Sequence, residues 1–420
     1  MSGSHRLTVT TGQPLPQMSW AQELDLLTDA WPYVSPPFLA ANEQAMPEAK
    51  PWHTIATRAR GELAVLPGYV LTAAPAVDHD PRTYLGWQPP TGDTVCCGVD
   101  VAATVTAEID ALDPQAFFPA LLLGSPLGYR TEVAYNFWTP TLFAAMVDKL
   151  VPAAFAAGIR SIVAPWICAR AGNDSLVTAL KETGGHATFW GFEDYLRLDA
   201  DSWDGHLTNL PAKKRQRITG DARRAAATGI RIQRVDGEAI RPHVARIAEL
   251  TCLNREKNGA GERPEHIATM LTVLLDAGAD LRAYLGSLDG DVVASCVVFR
   301  KGHHLLPKWA GFDYQRLGER SGIYFALVLN APVRDAYAEG LRTVEFGAGA
   351  HEAKTLRGCQ SREITTVMVL ADQALRPRVA ELLDGFGAAR RVAFNAPAAP
   401  LAGRALTTLP AGGSACCSNG

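Results

Sequence analysis

The sequence contains no apolar run of about 18 residues, the length a helix needs to cross the hydrocarbon core of a bilayer, so no membrane span is expected. Its N-terminal MSGSHRLTVTTGQPLPQMSW lacks the basic start and apolar centre of a secretory signal. The eight cysteines include no CxxC pair. Their only close pairs, Cys96-Cys97 and Cys416-Cys417, are chain neighbours, which rarely reach good disulfide geometry. Reduced thiols and a cytoplasmic setting are therefore expected. The C-terminal CSNG has Ser418 and Asn419 where a prenylation signal needs aliphatic side chains. An excess of charge is missing too: 40 Lys and Arg against 43 Asp and Glu leave −3 over 420 residues. Any contact with a polyanion must then come from a local patch. His303 and His304 are adjacent and would face opposite sides of a strand, so no metal site is expected from them.

What is present is the composition of a globular protein, 47% hydrophobic and 20% charged, with chain enough for two or three domains. Two stretches read almost alike, 182 positions apart when counted from Gly158 to Gly340. They are AFAAGIRSIV at 154–163 and AYAEGLRTVE at 336–345. In each, an amphipathic helix meets a glycine suited to a left-handed C-terminal cap, then an alternating β-branched strand. Two such joints in the same residue order predict a duplicated α/β unit.

Along the chain, residues 1–50 read as loop-rich, because Pro14, Pro16, Pro32, Pro36 and Pro37 break any long helix. Residues 51–200 form the first predicted unit. It holds short strands and turns at Pro89-Pro90 and Gly92-Asp93, a helix over 141–157, a strand over 159–164, a helix over 174–183, and strands over 186–190 and 194–198. Residues 201–372 form the second. A basic helix over 211–227 and helices over 242–258 and 264–277 precede strands over 281–286, 292–300 and 304–310, with Asp289-Gly290-Asp291 as a hairpin signal. A helix over 321–339, a strand over 341–346, a helical turn through Lys354 and a strand over 362–370 complete it. Residues 373–420 should give one helix over 377–383 and a mobile tail from 395. The fold class is α+β, with mixed sheets layered against helices.

The densest polar cluster is EFGAGAHEAKTLRG at 345–358. Gly347 and Gly349 follow a strand and let the backbone approach a ligand closely. A dinucleotide-binding loop would need a third glycine where Glu352 stands. Lys354 could place a positive charge beside a developing oxyanion or protonate a leaving oxygen; the plainer alternative is an exposed helix lysine. The stretch from Tyr314 to Gly322 precedes a helix whose first amides would suit an anion, while Ser321 serves equally well as its N-cap. Over 211–224, Lys213, Lys214, Arg215, Arg217, Arg223 and Arg224 against Asp221 leave +5, either a polyanion patch or a solvated helix face. Cys252, Cys296 and Cys359 sit among apolar residues and read as packing, while Trp166, Trp190 and Trp309 read as core or pocket walls and not as base-stacking platforms.

The span from 210 to 370 resembles the GNAT-like acyltransferase domain of the FemABX and "peptidoglycan biosynthesis/recognition" families. The likeness rests on LPAKKRQRI (210–218), DGDVVASCVVF (289–299), GFDYQRLGERSGIYFAL (311–327) and AYAEGLRTVEFGAGAHEAKTLRG (336–358). In the first half, GSPLGYRTEV (124–133) and IVAPWI (162–167) are similar to the same families. The resemblance implies two tandem GNAT-like units, which agrees with the internal echo. It makes Lys354 the counterpart of a lysine that follows a glycine-containing strand end, and so the expected catalytic residue; a tyrosine often precedes that lysine, and here Ala353 does. Of the Gln/Arg-x-x-Gly-x-Gly/Ala loop that holds a pyrophosphate, Gln315 and Gly318 match. Arg320 takes the last small position, where it could obstruct a pyrophosphate or fork onto a phosphate.

The implied donor site is Lys308, Trp309, Gln315, Arg316, Gly318, Arg320, Ser321, Gly347 and Gly349, with strand amides near Trp309 on the donor carbonyl. The implied acceptor site is Tyr129, Arg130 and Trp166, beside a cleft between the units. Lys213, Lys214, Arg215 and Arg217 would hold tRNA phosphates, although no long heptad segment offers the coiled-coil arm that Fem proteins often use. The expected reaction is amide formation on a small-molecule amine, a cell-wall precursor or secondary metabolite. No tightly bound cofactor or metal is expected. Aminoacyl-tRNA stands ahead of acyl-CoA as co-substrate. The rival reading is a relative that has kept the fold only to recognise a ligand.

Overall fold

The computed structural model describes residues 7–13, 31–58, 62–88, 103–139, 141–169, 173–258, 261, 263–318 and 321–396. They fall into two compact units. The first lies within 1–92, 99–191 and 363–414, and the second is 192–362.

In the first unit, β1 (Thr8–Gln13), β3 (His53–Thr57), β4 (Leu63–Leu66) and β7 (Ala134–Tyr135) make one sheet in the order β1-β3-β4-β7. A second sheet holds β2 (Lys50–Pro51), β5 (Gly68–Leu71), β6 (Ala120–Leu123) and β8 (Ser161–Cys168). It also takes most of β15 (Gln360–Leu370), antiparallel to β8, whereas β6 and β8 run parallel. The helix Leu142–Ala156 carries Phe143, Met146, Val147, Leu150 and Ala154 at helical spacing, and this stripe is buried against Leu121, Ile162, Val367 and Val369.

In the second unit, β10 (Arg231–Asp236), β11 (Leu281–Leu288), β12 (Asp291–Lys301) and β13 (His304–Phe312) form an antiparallel meander. β14 (Thr343–Gly347) joins β13 in parallel and pairs on its other side with the end of β9 (His186–Arg197). The β11–β12 turn has positive φ at both Asp289 and Gly290, as a tight hairpin of this twist requires. Helix Val244–Lys257 lies directly on β13. A Cβ at Gly311 would stand 2.2 Å from the Leu250 carbonyl carbon, so only glycine permits this approach.

The echoed joints are the same structure twice. Gly158 (φ +86°) and Gly340 (φ +66°) are both left-handed. Ile159 N–H donates to Ala154 O at 3.1 Å, and Leu341 N–H donates to Ala336 O at 2.9 Å. These bonds close each helix with the Schellman arrangement. Next, Arg160 N–H donates to Pro119 O and Arg342 N–H to His303 O, each at 2.8 Å, at the start of the neighbouring parallel strand. The chain is thus α+β, built of two tandem units of one kind.

Several elements differ from the sequence expectation. Residues 1–50 are not simply loop: they contain β1 and the helix Pro36–Ala45, whose two prolines occupy its first positions, where no N–H is needed. The strands expected over 186–190 and 194–198 are one strand, because Gly191 marks a close passage beneath the Phe394 ring instead of a break. The last helix runs Arg376–Ala393. Gly387 lies inside it, and a Cβ there would meet Thr188 Oγ1 at 2.3 Å, so that glycine serves packing. The helix expected over 321–339 widens to a π-helical stretch, Phe325–Asn330, just before Pro332, which has no N–H to donate. Among the described residues, no helix is long and apolar enough to cross a membrane.

Candidate active site

In the second unit, β13 and β14 pair only at His304↔Thr343 and Leu305↔Val344. Pro307 lacks an N–H and falls where the β12–β13 register shifts, and β14 has its own irregularity between Glu345 and Gly347. No further ladder pair joins the two strands among the described residues. The β13 edge from Lys308 to Ala310 and the β14 edge from Glu345 to Gly347 are left without each other. Lys308 is half-buried, and Trp309 is buried against Phe299 with ring centres 5.7 Å apart.

The turn after β14 is left-handed at Gly347, Gly349 and Ala350. Lys354, on the short helix His351–Thr355, lies beneath it and is only 1% exposed. Its ammonium donates to the carbonyls of Phe346 (3.1 Å), Gly347 (2.9 Å) and Ala348 (3.3 Å), and Asp194 Oδ2 stands 3.9 Å away. A buried charge is tolerated only when hydrogen-bonded and paired in this way. All three ammonium protons are directed at the turn, so its positive charge acts from below the strand end.

Two residues that the sequence reading did not single out complete this corner. Asp194 on β9 is fully buried, and its Oδ1 accepts from His351 Nδ1 at 2.9 Å and from Ser361 Oγ at 2.7 Å. The His351 ring stacks on Phe192, centres 4.6 Å apart. His351 was in plain view inside EFGAGAHEAKTLRG, but Asp194 lies 157 positions away and nothing local links them. Burial pushes the Cys359 thiol up to about 12, helped by Asp194 and opposed by Lys354, Lys214 and Arg357. Burial likewise raises the Tyr324 hydroxyl, with Tyr314, Cys296 and Asp194 adding to it.

Of the residues expected to hold the donor, Gln315 is exposed and Gly318 is left-handed (φ +70°). Arg316 is ion-paired with Asp291 at 2.9 Å, against the β11–β12 hairpin. Ser321 is buried, its Oγ accepting from Ile323 N–H at 3.5 Å. Arg320 lies outside the described residues. Gly322 (φ +74°) abuts the basic helix: a Cβ there would come within 2.7 Å of the Asp221 carbonyl oxygen.

The basic helix, Ala212–Ala227, is anchored by fully buried Asp221. Asp221 accepts from Arg357 Nε at 2.6 Å and from Arg224. Arg357 in turn covers the Phe325 ring and donates to Ala353 O, so the helix is tied to the segment that carries Lys354. Arg215 donates to the carbonyls of Leu207 and Thr208. Lys213 and Arg217 are exposed and Lys214 is half-buried. Among the described residues none of these three forms an ion pair with a carboxylate.

In the first unit, Tyr129 (φ +53°) and Trp166 (φ +52°) are both left-handed and touch, ring centres 4.8 Å apart. Large non-glycine residues rarely adopt this conformation, and where they do the site is often functional. Trp166 stands at the register shift between β8 and β15, and its Nε1 is buried with no hydrogen-bond partner among the described residues. Arg130, adjacent in sequence, turns its guanidinium over Trp31 at 4.0 Å and is buried. The structure therefore brings Tyr129 and Trp166 together and directs Arg130 elsewhere within the same unit.

Residues 212–355 match the family model described as an acetyltransferase (GNAT) domain. Among solved structures, FemX superposes with a TM-score of 0.52 at 12% identity, covering 86% of this chain and 98% of that one. A conserved protein of unknown function from Bacteroides thetaiotaomicron gives 0.49 at 13%, covering 84% and 96%. A tandem GNAT protein from the clavulanic acid biosynthesis pathway gives 0.45 at 13%, covering 86% and 98%. No curated protein matches the sequence. The shared fold is that of FemX, with a GNAT domain in its second unit.

Proposed function

We propose that this chain, a FemABX-like protein with a GNAT acyltransferase domain, joins an acyl or aminoacyl group to the amine of a small molecule and so forms an amide. The observation that carries this reading is the parting of β13 and β14 above a turn held from below by Lys354. A carbonyl laid along the freed β13 edge near Trp309 can meet backbone N–H groups, and Gly347 and Gly349 leave room for an acyl carbon beside the strand end. Lys354 is a positioning residue here: it fixes the turn and contributes a nearby positive charge. Rate enhancement comes chiefly from holding donor and amine in line.

The donor we favour is aminoacyl-tRNA. Lys213, Lys214 and Arg217 present positive charge on a helix coupled to the site through Asp221 and Arg357, while Arg316 is engaged by Asp291. Acyl-CoA is the alternative donor. Acceptor recognition is assigned to the Tyr129–Trp166 pair, without Arg130, which is engaged by Trp31. The buried cysteines Cys168, Cys252, Cys296 and Cys359 suit a reducing, cytoplasmic setting.

The test is to incubate the protein with candidate amines and, in parallel, charged tRNA or acyl-CoA, and to read products by intact mass. An amide lost on RNase treatment selects the tRNA donor; one that resists RNase and needs the thioester selects acyl-CoA. No new amide from either donor would reject acyl transfer in favour of a recognition module.

A further inference from the structure

Between the basic helix Ala212–Ala227, the π-helical stretch Phe325–Asn330 and strands β10 and β11 of the second unit lies a cavity of about 430 Å³. Small-molecule sites typically measure about 300–1,000 Å³. None of its lining residues belongs to the opened edges of β13 and β14 or to the turn held by Lys354. On the basic helix, Ala222, Ala225 and Ala226 recur at helical spacing and give the cavity a smooth apolar wall. Ile232 on β10 also lines it, and is one of the few large apolar side chains left exposed among the described residues.

Two polar groups break this apolar lining. Asn330 is only 6% exposed, yet its Nδ2 has no hydrogen-bond partner among the described residues. A buried amide left in that state costs stability, whereas an apolar side chain of the same size does not. Asn330 also closes the π-helical stretch, a widening of the helix that is frequent at functional sites. One turn further on, Arg334 lines the same cavity, as the i, i+4 spacing dictates. Its guanidinium stands 5.2 Å from the centre of the Trp203 ring and has no carboxylate partner among the described residues. The remaining charges of the lining are matched. Arg234 is held by Asp236 at 2.7 Å and by Asp335 and Glu339, each at 2.9 Å, and the Tyr284 hydroxyl donates to Asp335 at 2.7 Å.

We propose that this cavity is a binding site for a small apolar carboxylate, separate from the candidate reaction centre. Residues four apart on a helix bring their Cβ atoms to about 5–6 Å, so one carboxylate meets both side chains. One oxygen accepts from the Asn330 amide and the other from the Arg334 guanidinium. The apolar body of the molecule covers the three alanines and Ile232. A single uncompensated cation suits a singly charged head; a phosphate would bring charge that no other lining residue neutralises. The site does not depend on acyl transfer, and its test needs no turnover.

The test is calorimetric titration of the full chain with 3-phenylpropionate and with 3-phenylpropan-1-ol, an uncharged control of similar size. The acid should bind saturably at a single site, at least about tenfold more tightly than the alcohol, as a charge-assisted hydrogen bond provides. Arg334→Gln should remove that difference and leave the alcohol unaffected. Ala226→Phe, at an exposed position of the basic helix, fills the cavity and should abolish binding of both while the helical circular dichroism is retained. Asn330→Leu should weaken the acid with Tm unchanged or raised, because it removes an unpartnered amide; a purely structural asparagine would lower Tm on replacement. No saturable heat with the acid, the result for a cavity that holds only water, would overturn the assignment. Equal affinities for acid and alcohol would overturn it too, as would acid binding that survives Ala226→Phe or is untouched by both Arg334→Gln and Asn330→Leu.

Discussion

The ammonium of Lys354 stands 2.9 Å from the carbonyl oxygen of Gly347, and two further carbonyls of the same turn complete its shell. One side chain therefore satisfies acceptors that would otherwise point into a buried space. Lys354→Met keeps the volume but leaves those carbonyls and Asp194 without their cation. Removing one member of a buried charged set typically costs about 3–5 kcal/mol. Urea unfolding should show a loss of that order with an unchanged m-value, and the residual folded enzyme should lose amide formation. Stability within about 0.5 kcal/mol of wild type, the scatter of ordinary surface changes, would show that the cage does not hold the turn.

Asp221 gives a second prediction. It is the buried acceptor for both Arg357 and Arg224 and the contact point for Gly322. Asp221→Ala strands the buried guanidinium of Arg357, so it should destabilise by about 3 kcal/mol or more. Gly322→Ala acts on the same contact differently: its Cβ meets the Asp221 carbonyl at 2.7 Å and its φ is +74°. That variant should lower Tm by several degrees while the ion pair stays chemically intact, a difference visible in paired thermal melts.

These residues also show what the sequence could reveal. The paired helix–glycine–strand joints at Gly158 and Gly340 were readable because their hydrogen bonds are local, closing within five residues. The opening between β13 and β14 was only half readable. Pro307 interrupts β13 and the glycines of 347–349 mark the end of β14, yet which strands lie side by side is set by long-range pairing. Lys354 stood out by its position, but its three acceptors depend on a turn whose shape no local pattern dictates. Asp194 was invisible, since it belongs to a strand reached from a distant part of the chain. Gly191 and Gly387 misled for a related reason: each looks like a break, and each is glycine because another segment passes close by.

The cationic face of the basic helix leads to a third prediction. Lys213, Lys214 and Arg217 have no carboxylate partner among the described residues, so reversing them disturbs little folded structure. The triple variant Lys213→Glu, Lys214→Glu, Arg217→Glu should bind RNA more weakly. Each lost phosphate contact flattens the salt dependence of log K by about 0.7–0.9. A triple variant that keeps Tm, RNA affinity and salt slope would remove the helix from donor binding.

Cys359 supplies a pH prediction with a definite sign. Burial, reinforced by Asp194, raises its thiol from 9.0 to about 12, so the folded chain keeps a proton that the unfolded chain releases. A group whose folded pKa is raised contributes its full stability below pH 9, and loses it as pH climbs from there towards about 12. Buried Cys296, raised by the same desolvation, acts in the same direction. Across that window each suppressed thiol should steepen the decline by at most about 1.4 kcal/mol per pH unit. Cys359→Ala should therefore be more stable relative to wild type at pH 10.5 than at pH 8, since the cost of the small cavity is the same at both. Urea midpoints at the two pH values measure this. A wild-type midpoint that falls no faster than that of the variant between pH 9 and 11 would mean that the thiol titrates normally in the folded chain. In the same samples, alkylation at pH 8 followed by peptide mapping should leave Cys296 and Cys359 unmodified until the protein unfolds, because the thiolate that reacts is suppressed at both.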